Sequence, residues 1–302
     1  MSSGEMGGQN LTQRGMGILV GLVAGAIAVG VFAIRGCQEG PFGRRQIVMM
    51  DPEEEIRLGT QAYNEVLGDP KTQVVRSGPI VDVVKEVTGR LVKATREPEF
   101  LKIVGLKERR YEWDVRVVNS REVNAFCLPG GKMVVFTGIL PVCENDAALA
   151  TVMGHELSHA LGRHGAERMA QSQMANVGIT AAGATMGGDM AQKRAVLSIL
   201  NAGAKFGIMS YGRGHESEAD HMGLFLMAFA GYDPEESVRF WGRMDKAAGG
   251  GGQRQPEFLS THPHPATRIN DLRKWMPDAL KVYRASKDRS EARPLPLPKR
   301  RD

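Results

Sequence analysis

Hydrophobic residues recur at helical spacing along much of the chain and predict a mainly helical protein. In the segments 79–95 and 145–163 the apolar positions lie three and four residues apart and form one stripe. Capping residues point the same way, because the stretches that begin at Asp51 and at Asp233 both open with Asp-Pro-Glu. Further helices are therefore predicted at 51–68, at 215–230, from 233 onward and at 266–275.

A shorter region alternates apolar and polar residues, which is the pattern of β-strands. The segment 111–118 alternates, and the segments 124–128 and 133–137 flank the turn sequence Pro129-Gly130-Gly131. These three stretches predict a small β-meander. Residues 165–206 are rich in Ala, Met and Gly and are expected to form helices broken near Gly187-Gly188. The fold class expected from both patterns is α+β, a mostly helical domain with one small sheet.

The amino-terminal region carries a long apolar run. From Gly15 to Ile34 the residues are uncharged, with Arg14 before them and Arg35 after them. A helix of about twenty residues spans about 30 Å, which is enough to cross a bilayer. The apolar core of a cleavable signal peptide, the main rival, is usually only about 7–15 residues long. The run therefore predicts a single transmembrane helix that anchors the protein in lipid.

Composition is compatible with one globular domain between two tails. The chain has 302 residues, 42% of them hydrophobic, and a net charge of +5 from 39 basic and 34 acidic residues. This balance carries no nucleic-acid signature. The three cysteines are too scattered for a disulfide framework or a C-x-x-C metal site. The expected organisation is a tail at 1–14, an anchor at 15–34, a linker at 35–50, a domain at 51–286 and a disordered basic tail at 287–302.

The strongest chemical signal lies inside the apolar helix predicted at 145–163. His155-Glu156-Leu157-Ser158-His159 forms an H-E-x-x-H motif. Four residues make about one helical turn, so both imidazoles leave the same face and can bind one metal ion. Glu156 lies beside the first histidine and can act as a general base without being a ligand. Unpaired histidines and a carboxylate would be costly in an apolar helix, which argues against a mere surface helix.

A catalytic zinc site needs a third protein ligand and an open fourth position. Glu216 and Asp220 form an E-x-x-x-D pattern one turn apart on a predicted helix. Glu216 can complete the site, and Asp220 can accept the N–H of a ligand histidine. Glu218 is off this face and is expected to be solvated. The sequence thus predicts one Zn²⁺ per chain, held by His155, His159 and Glu216.

In the order of its motifs the sequence resembles metallopeptidase family forty-eight, from about Asp51 to Trp275. The shared motifs are Val123-Asn124-Ala125-Phe126, Pro129-Gly130-Gly131-Lys132, Gly154 to His159, Arg163-His164, Glu216 to Asp220 and Ser260-Thr261-His262-Pro263. The resemblance is strongest to OMA-like, BepA-like and LoiP-like quality-control proteases. It implies a gluzincin with a zincin-like α+β domain that cleaves misfolded or membrane-associated proteins. It also assigns Arg213 to the catalytic site, although Gly212 replaces the serine of the family's S-R-x-x-E pattern.

Two other parts of the site leave alternatives open. His262 lies in a proline-flanked loop, where it either donates a hydrogen bond to the oxyanion or caps the zinc reversibly as a fourth ligand. Asn124 and Ala125 begin the strand predicted at 124–128. If this is an edge strand, it can bind a substrate peptide by backbone pairing.

The function expected from these features is that of a zinc-dependent endopeptidase acting on protein or peptide substrates. One rival is a zinc-stabilised chaperone or scaffold without proteolysis, which would have no use for the base Glu156. Another is a closed structural zinc site in which His262 or His164 is a permanent fourth ligand.

Two signals disagree on the side of the membrane. Arg35, Arg44 and Arg45 follow the anchor and would place the domain in the cytoplasm. The resemblance instead favours an extracytoplasmic, periplasmic domain, which is the expectation adopted. A homo-oligomer is compatible with the sequence.

Overall fold

The computed structural model describes residues 23, 25–27, 29–31, 33–174, 212–249, 256–262 and 267–297. The chain divides into two units. The first contains Met1–Glu39, Arg45–Met50 and Ala166–Gly207, and the second contains Gly40–Arg44, Asp51–Gly165 and Ile208–Asp302. In the first unit, β1 (Cys37–Glu39) and β2 (Arg45–Ile47) form an antiparallel pair.

Helices dominate the second unit, as the sequence predicts. Along the described chain they are α1 Pro52–Gly68, α2 Pro79–Ala94, α3 Pro98–Val104, α4 Leu140–Cys143, α5 Asp146–Leu161, α6 Arg213–Phe229, α7 Glu235–Gly249, α8 Glu257–Thr261 and α9 Arg268–Ala285. Side-chain caps fix two of the starts: Asp51 Oδ1 accepts from Glu54 N at 2.7 Å, and Asn145 Oδ1 accepts from Ala148 N at 2.8 Å.

The sheet of the second unit differs from the predicted meander. Its strands are β3 (Val74–Val75), β4 (Asp114–Val118), β5 (Ala125–Leu128) and β6 (Lys132–Phe136), in the order β3-β4-β6-β5. The hairpin of β5 and β6 is antiparallel as expected, but β4 pairs in parallel with β6 instead of with β5. The reason lies in β6, where three consecutive residues are buried, which suits a strand covered on both faces. The predicted meander, in which β5 would lie between β4 and β6, was wrong. Strand β6 occupies the interior position instead, and β5 lies at the edge of the sheet.

Helix α5 lies at the centre of the fold and carries the H-E-x-x-H motif. All of its residues are buried, although the sequence predicts only one apolar stripe. Its polar motif residues therefore stand in the interior. At the crossing with α6, a Cβ atom added at Gly223 would lie 3.0 Å from the backbone nitrogen of His155 and 3.1 Å from the carbonyl carbon of Gly154. The two glycines allow this close approach and bring the motif next to the first turn of α6.

The carboxyl-terminal segment packs on the domain as far as it is described. Arg293 donates from Nε to Asp146 Oδ2 at 2.8 Å, and Leu295 is buried. Leu295 N also donates to Glu144 O at 2.9 Å. Disorder predicted for 287–302 is thus wrong for residues 287–297. The composition of this stretch suggests a loose tail, but a buried carboxylate at the start of α5 and one buried leucine hold it in place.

Two predicted regions lie largely outside the described residues. These are most of the anchor at 15–34 and the Ala/Met/Gly-rich stretch after residue 174, including the break near Gly187-Gly188. Within the described ranges, no helix has the length and apolarity that a membrane crossing requires.

Candidate metal centre and active site

Three predicted metal ligands meet where α5 crosses α6. His155 and His159 are one turn apart on α5, and Glu216 lies in the first turn of α6; all three are buried. The Nε2 atoms of the two histidines are 3.1 Å apart. Glu216 Oε2 lies 3.3 Å from His155 Nε2, and its Oε1 lies 3.5 Å from His159 Nε2. The structure therefore brings together the two helices' ligand atoms as the sequence predicts.

A fourth residue, His262, joins this cluster from the end of α8. His262 Nδ1 lies 3.4 Å from His155 Nε2 and 3.2 Å from Glu216 Oε1. One ligand atom from each of the four residues lies within 4.8 Å of the others. His164 takes another place, because its Nδ1 lies 2.9 Å from the Nδ1 of His159. The geometry therefore does not support the hypothesis that His164 is a fourth metal ligand.

The chemistry of these atoms fits a zinc ion. Imidazole nitrogens and a carboxylate are the ligands that zinc prefers. His155 Nδ1 faces Asp220 Oδ1 at 2.9 Å, which places its proton there and directs the Nε2 lone pair into the cluster. Several lone pairs then converge on one small volume, where a cation would satisfy them together.

The pKa values of the cluster reflect the same crowding. Burial lowers the pKa of His159 well below its ordinary value. Burial alone would raise the pKa of Glu216, but hydrogen bonds from His155 and His262 outweigh it and lower that pKa, so the carboxylate is ionised. Burial lowers the pKa of His155, yet hydrogen bonds to Asp220 and Glu216 outweigh it and raise it to about 9. A cation bound by these atoms would displace the proton from His155 Nε2.

Glu156 is buried beside the cluster without belonging to it. Its Oε2 accepts from Cys127 N at 3.1 Å, while Oε1 lies 3.4 Å from His262 Nε2. Among the described residues no donor hydrogen-bonds to Oε1. Burial raises the pKa of Glu156, ahead of the opposing effect of His262 and His155. A buried carboxyl group with a raised pKa, held by one oxygen, is suited to proton transfer.

A buried arginine that sequence reasoning missed supports the ligands. Arg268, at the start of α9, donates from Nη2 to Glu216 Oε2 at 2.8 Å and from Nε to Asp220 Oδ2 at 2.5 Å. Its guanidinium carbon lies 3.9 Å from the centre of the Trp241 ring. Arg213, which the resemblance assigned to the site, is exposed at the first residue of α6. Arg268 is thus an arginine that contacts Glu216. Two buried carboxylates need a positive counter-charge, and from this need a buried arginine could have been expected.

Glu218 was expected to be solvated, and that was wrong. It is 8% exposed, and its Oε2 accepts from Arg44 Nε at 2.6 Å. The same oxygen lies 3.6 Å from His164 Nε2. The prediction failed because the helix turns Glu218 toward the buried His164, a neighbour that helical spacing does not reveal.

The predicted substrate strand lies at the edge of the sheet next to α5. Asn124 and Ala125 are each 1% exposed, and Asn124 Oδ1 accepts from Ala125 N at 2.9 Å. Phe258 N, in α8, donates to Val123 O at 3.1 Å. Helix α8, which ends next to His262, thus contacts the chain at the start of this strand.

Next to the candidate ligand atoms lies the buried carboxyl group of Glu156, for which a closed structural site would have no use. The fold and the site therefore define a metallopeptidase. Comparison with known proteins gives the family: residues 93–276 match the model of Peptidase family M48, and the chain belongs to that family. It is a metalloendopeptidase, and the resemblance inferred from its motifs is confirmed.

Several relatives are similar over much of the chain. Over 256 residues it is 33% identical to the mitochondrial metalloendopeptidase OMA1 of Saccharomyces cerevisiae, covering 80% of this chain and 70% of that protein. Over 287 residues it is 28% identical to human OMA1, a mitochondrial metalloendopeptidase, covering 91% and 52%. Over 164 residues it is 34% identical to the β-barrel assembly-enhancing protease of Escherichia coli K12, covering 52% and 33%.

Proposed function

We propose that this protein is a zinc-dependent endopeptidase that hydrolyses peptide bonds of misfolded or membrane-associated proteins. The observation that carries the proposal is the convergence of His155, His159 and Glu216 beside the buried carboxyl group of Glu156. These three residues would hold the ion. When bound, zinc supplies a Lewis acid that polarises the scissile carbonyl and lowers the pKa of a water molecule.

Glu156 is the group that moves the proton. Its Oε2 is fixed by the N–H of Cys127, so Oε1 is the oxygen that takes a proton from the attacking water. The same carboxyl group then gives that proton to the leaving amine. Asp220 and Arg268 keep the ligands oriented, since one contacts His155 and the other contacts Glu216.

Edge strand β5 supports the binding of an extended peptide. Asn124 O accepts from Phe136 N at 3.1 Å, so the backbone groups of Ala125 and Cys127 point away from β6. The N–H of Cys127 already reaches Glu156, which places this side of the strand at the base. Recognition through backbone groups tolerates many sequences, as an enzyme that removes misfolded proteins requires.

His262 is proposed to cap the metal reversibly. Its Nδ1 lies among the ligand atoms, within 3.4 Å of His155 Nε2, and it is 3% exposed. A neutral imidazole in this position is a good zinc ligand. The contact of α8 with Val123 lies at the same end of β5, so withdrawal of this segment would free both the cap and the strand.

The cellular setting is proposed from the relatives and from the amino-terminal run. The relatives' names place two of them in mitochondria and give the third a role in β-barrel assembly. Together with the apolar run at 15–34, they favour a membrane-anchored enzyme of protein quality control with an extracytoplasmic catalytic domain.

Cleavage of casein by the purified protein tests the function. We expect cleavage that a chelator abolishes and that added zinc restores. Zinc binding without cleavage would favour a scaffold or a closed structural site. Natural substrates are best sought among proteins that accumulate in cells carrying Glu156→Gln.

A further inference from the structure

The outer side of His159 carries a second set of contacts that the metal site does not use. His159 Nε2 faces the ligand cluster, and its Nδ1 lies 2.9 Å from His164 Nδ1. One of two imidazole nitrogens at this distance must donate and the other accept. A lone pair on Nε2 of His159 requires the proton on its Nδ1. His164 Nδ1 is then the acceptor, and the proton of neutral His164 is on Nε2.

An anchored carboxylate lies near that proton, at ion-pair distance rather than hydrogen-bond distance. His164 Nε2 lies 3.6 Å from Glu218 Oε2, which also accepts from Arg44 Nε at 2.6 Å. His164 is 0% exposed and Glu218 is 8% exposed. The ring of His215 stacks on that of His164, with centroids 4.5 Å apart and planes inclined by 16°. The chain of contacts from His159 to Glu218 is therefore buried, and stacking on His215 fixes the plane of the His164 ring between them.

Each histidine ligand of α5 thus has a carboxylate and an arginine behind it. For His155 they are Asp220, in direct contact, and Arg268. For His159 the carboxylate acts through His164. On this pattern, which rests on the proposed metal site, we infer that His164, Glu218 and Arg44 are positioning residues that hold His159 in the tautomer and orientation for metal binding.

Arg44 belongs to a short segment, Gly40–Arg44, that is fastened to α6 at two points. The Phe42 ring stacks on the His221 ring, with centroids 4.3 Å apart and planes inclined by 12°. Phe42 has a φ of 53°, an unusual value for a residue with a side chain. The second point is the ion pair of Arg44 with Glu218. We name Gly40–Arg44 the strap.

Zinc affinity, measured by competition with a zinc-binding chromophore on the full chain, tests this inference. Arg44→Gln, Glu218→Gln and His164→Asn should each weaken zinc binding by about 10- to 100-fold, the range seen for partners of ligand histidines. Arg45→Gln is the matched control. It removes the same charge one residue further on, where the side chain contacts Cys37, and it should bind zinc as the wild type does.

A double variant separates positioning from a general loss of structure. The side chain of an asparagine at position 164 keeps a hydrogen-bond acceptor near Nδ1 of His159, but it does not reach Glu218. Glu218→Gln should therefore have no further effect on zinc affinity once His164→Asn is present. Additive losses in the double variant would overturn the inference. Wild-type affinity in all three single variants would do so as well. If the wild-type protein binds no zinc, it is the proposed function that fails.

Discussion

Glu156 has one oxygen fixed by a backbone N–H and the other facing His262. Glutamine in its place keeps the shape and the hydrogen bond but accepts no proton. We expect Glu156→Gln to retain one zinc per chain and to lower turnover on casein by at least about 10²-fold, the usual cost of losing a general base. Metal content and initial rates are measured on the same sample. Near-normal rates in the zinc-loaded variant would remove Glu156 from the mechanism.

His262 offers a second test, because a cap and an oxyanion donor predict opposite effects. Its Nδ1 lies 3.2 Å from a carboxylate oxygen of the ligand Glu216, which is the place of a cap. We expect His262→Ala to raise the rate on an unstructured protein substrate at saturating zinc. A fall of about 10²-fold would instead identify an oxyanion donor. An unchanged rate would give His262 no part in the site.

Pairs one helical turn apart were predictable from spacing, whereas the arginine partners that come from distant segments were not. His155 with His159, and Glu216 with Asp220, follow from one-turn spacing. Arg268 lies 52 positions from Glu216 and Arg44 lies 174 positions from Glu218. Helical spacing reports neighbours along one element, so it has no bearing on such pairs. The wrong expectation for Glu218 has this origin, whereas Arg213 was assigned from the resemblance and not from spacing.

Among the elements, the crossing of α5 and α6 sets the geometry of the site. A Cβ atom at 223 would meet the backbone nitrogen of His155 at 3.0 Å, closer than such atoms normally approach. We expect Gly223→Ala to separate the helices slightly. The free energy of unfolding should fall by about 1–3 kcal/mol, as in other overpacked cores, and zinc affinity should fall with it.

Gly242→Ala is the control for that substitution. Gly242 lies in α7, and a Cβ atom there would meet nothing within 4 Å. Alanine in a helix interior is favoured over glycine by about 0.5–1 kcal/mol, so this variant should gain stability and bind zinc normally. Chemical denaturation and metal titration of both variants decide the matter. Equal zinc affinity in Gly223→Ala would mean that the crossing tolerates a wider separation.

The stacked rings on α6 make one part of the stability depend on pH. His221 lies between Phe42 and Trp275, and burial, followed by the charge of Lys274, lowers its pKa to about 4. An unfolded histidine titrates near about 6.5, so the unfolded chain binds this proton more readily. The contribution of His221 is complete above about pH 6.5 and is lost as the pH falls toward about 4.

Replacement of that histidine by phenylalanine isolates the effect. His221→Phe keeps a ring in the stack and has no proton to bind. We expect the difference in unfolding free energy between pH 7.5 and pH 5 to be smaller in the variant than in the wild type. Urea denaturation at both values measures it. Parallel changes in the two proteins would show that His221 does not contribute to the pH dependence.

Elements could be predicted where the signal is local. The start of α1 followed from its cap Asp51, the approximate bounds of α5 followed from periodicity, and the hairpin of β5 and β6 followed from its glycine turn. The parallel pairing of β4 with β6 is non-local, and no short pattern encodes it. Similarly, the packing of Leu295 depends on a carbonyl group at Glu144, far away in the sequence.

At the scale of the whole molecule, removal of residues 1–36 should leave a soluble, active enzyme. This truncation takes away the uncharged run that ends before Arg35 and keeps the strap together with every residue of the metal centre. We expect casein cleavage and zinc content equal to those of the full chain, with the protein in the supernatant after high-speed centrifugation. Sedimentation with membranes would reveal a second attachment, for which residues 174–190 are the first candidate.

The strap also changes which residue is taken as the start of the catalytic domain. Judged by its helices, the domain starts at Asp51, and residues 35–50 would be discarded as a mere spacer. A protein shortened to that point would keep every predicted metal ligand and helices α1 to α9, but it would lack Phe42 and Arg44. If the ion pair with Glu218 supports His159, such a fragment holds its metal weakly and is easily mistaken for an inactive relative. The inferred role of Arg44 thus places the start of the working enzyme at Gly40, eleven positions before its first long helix is capped.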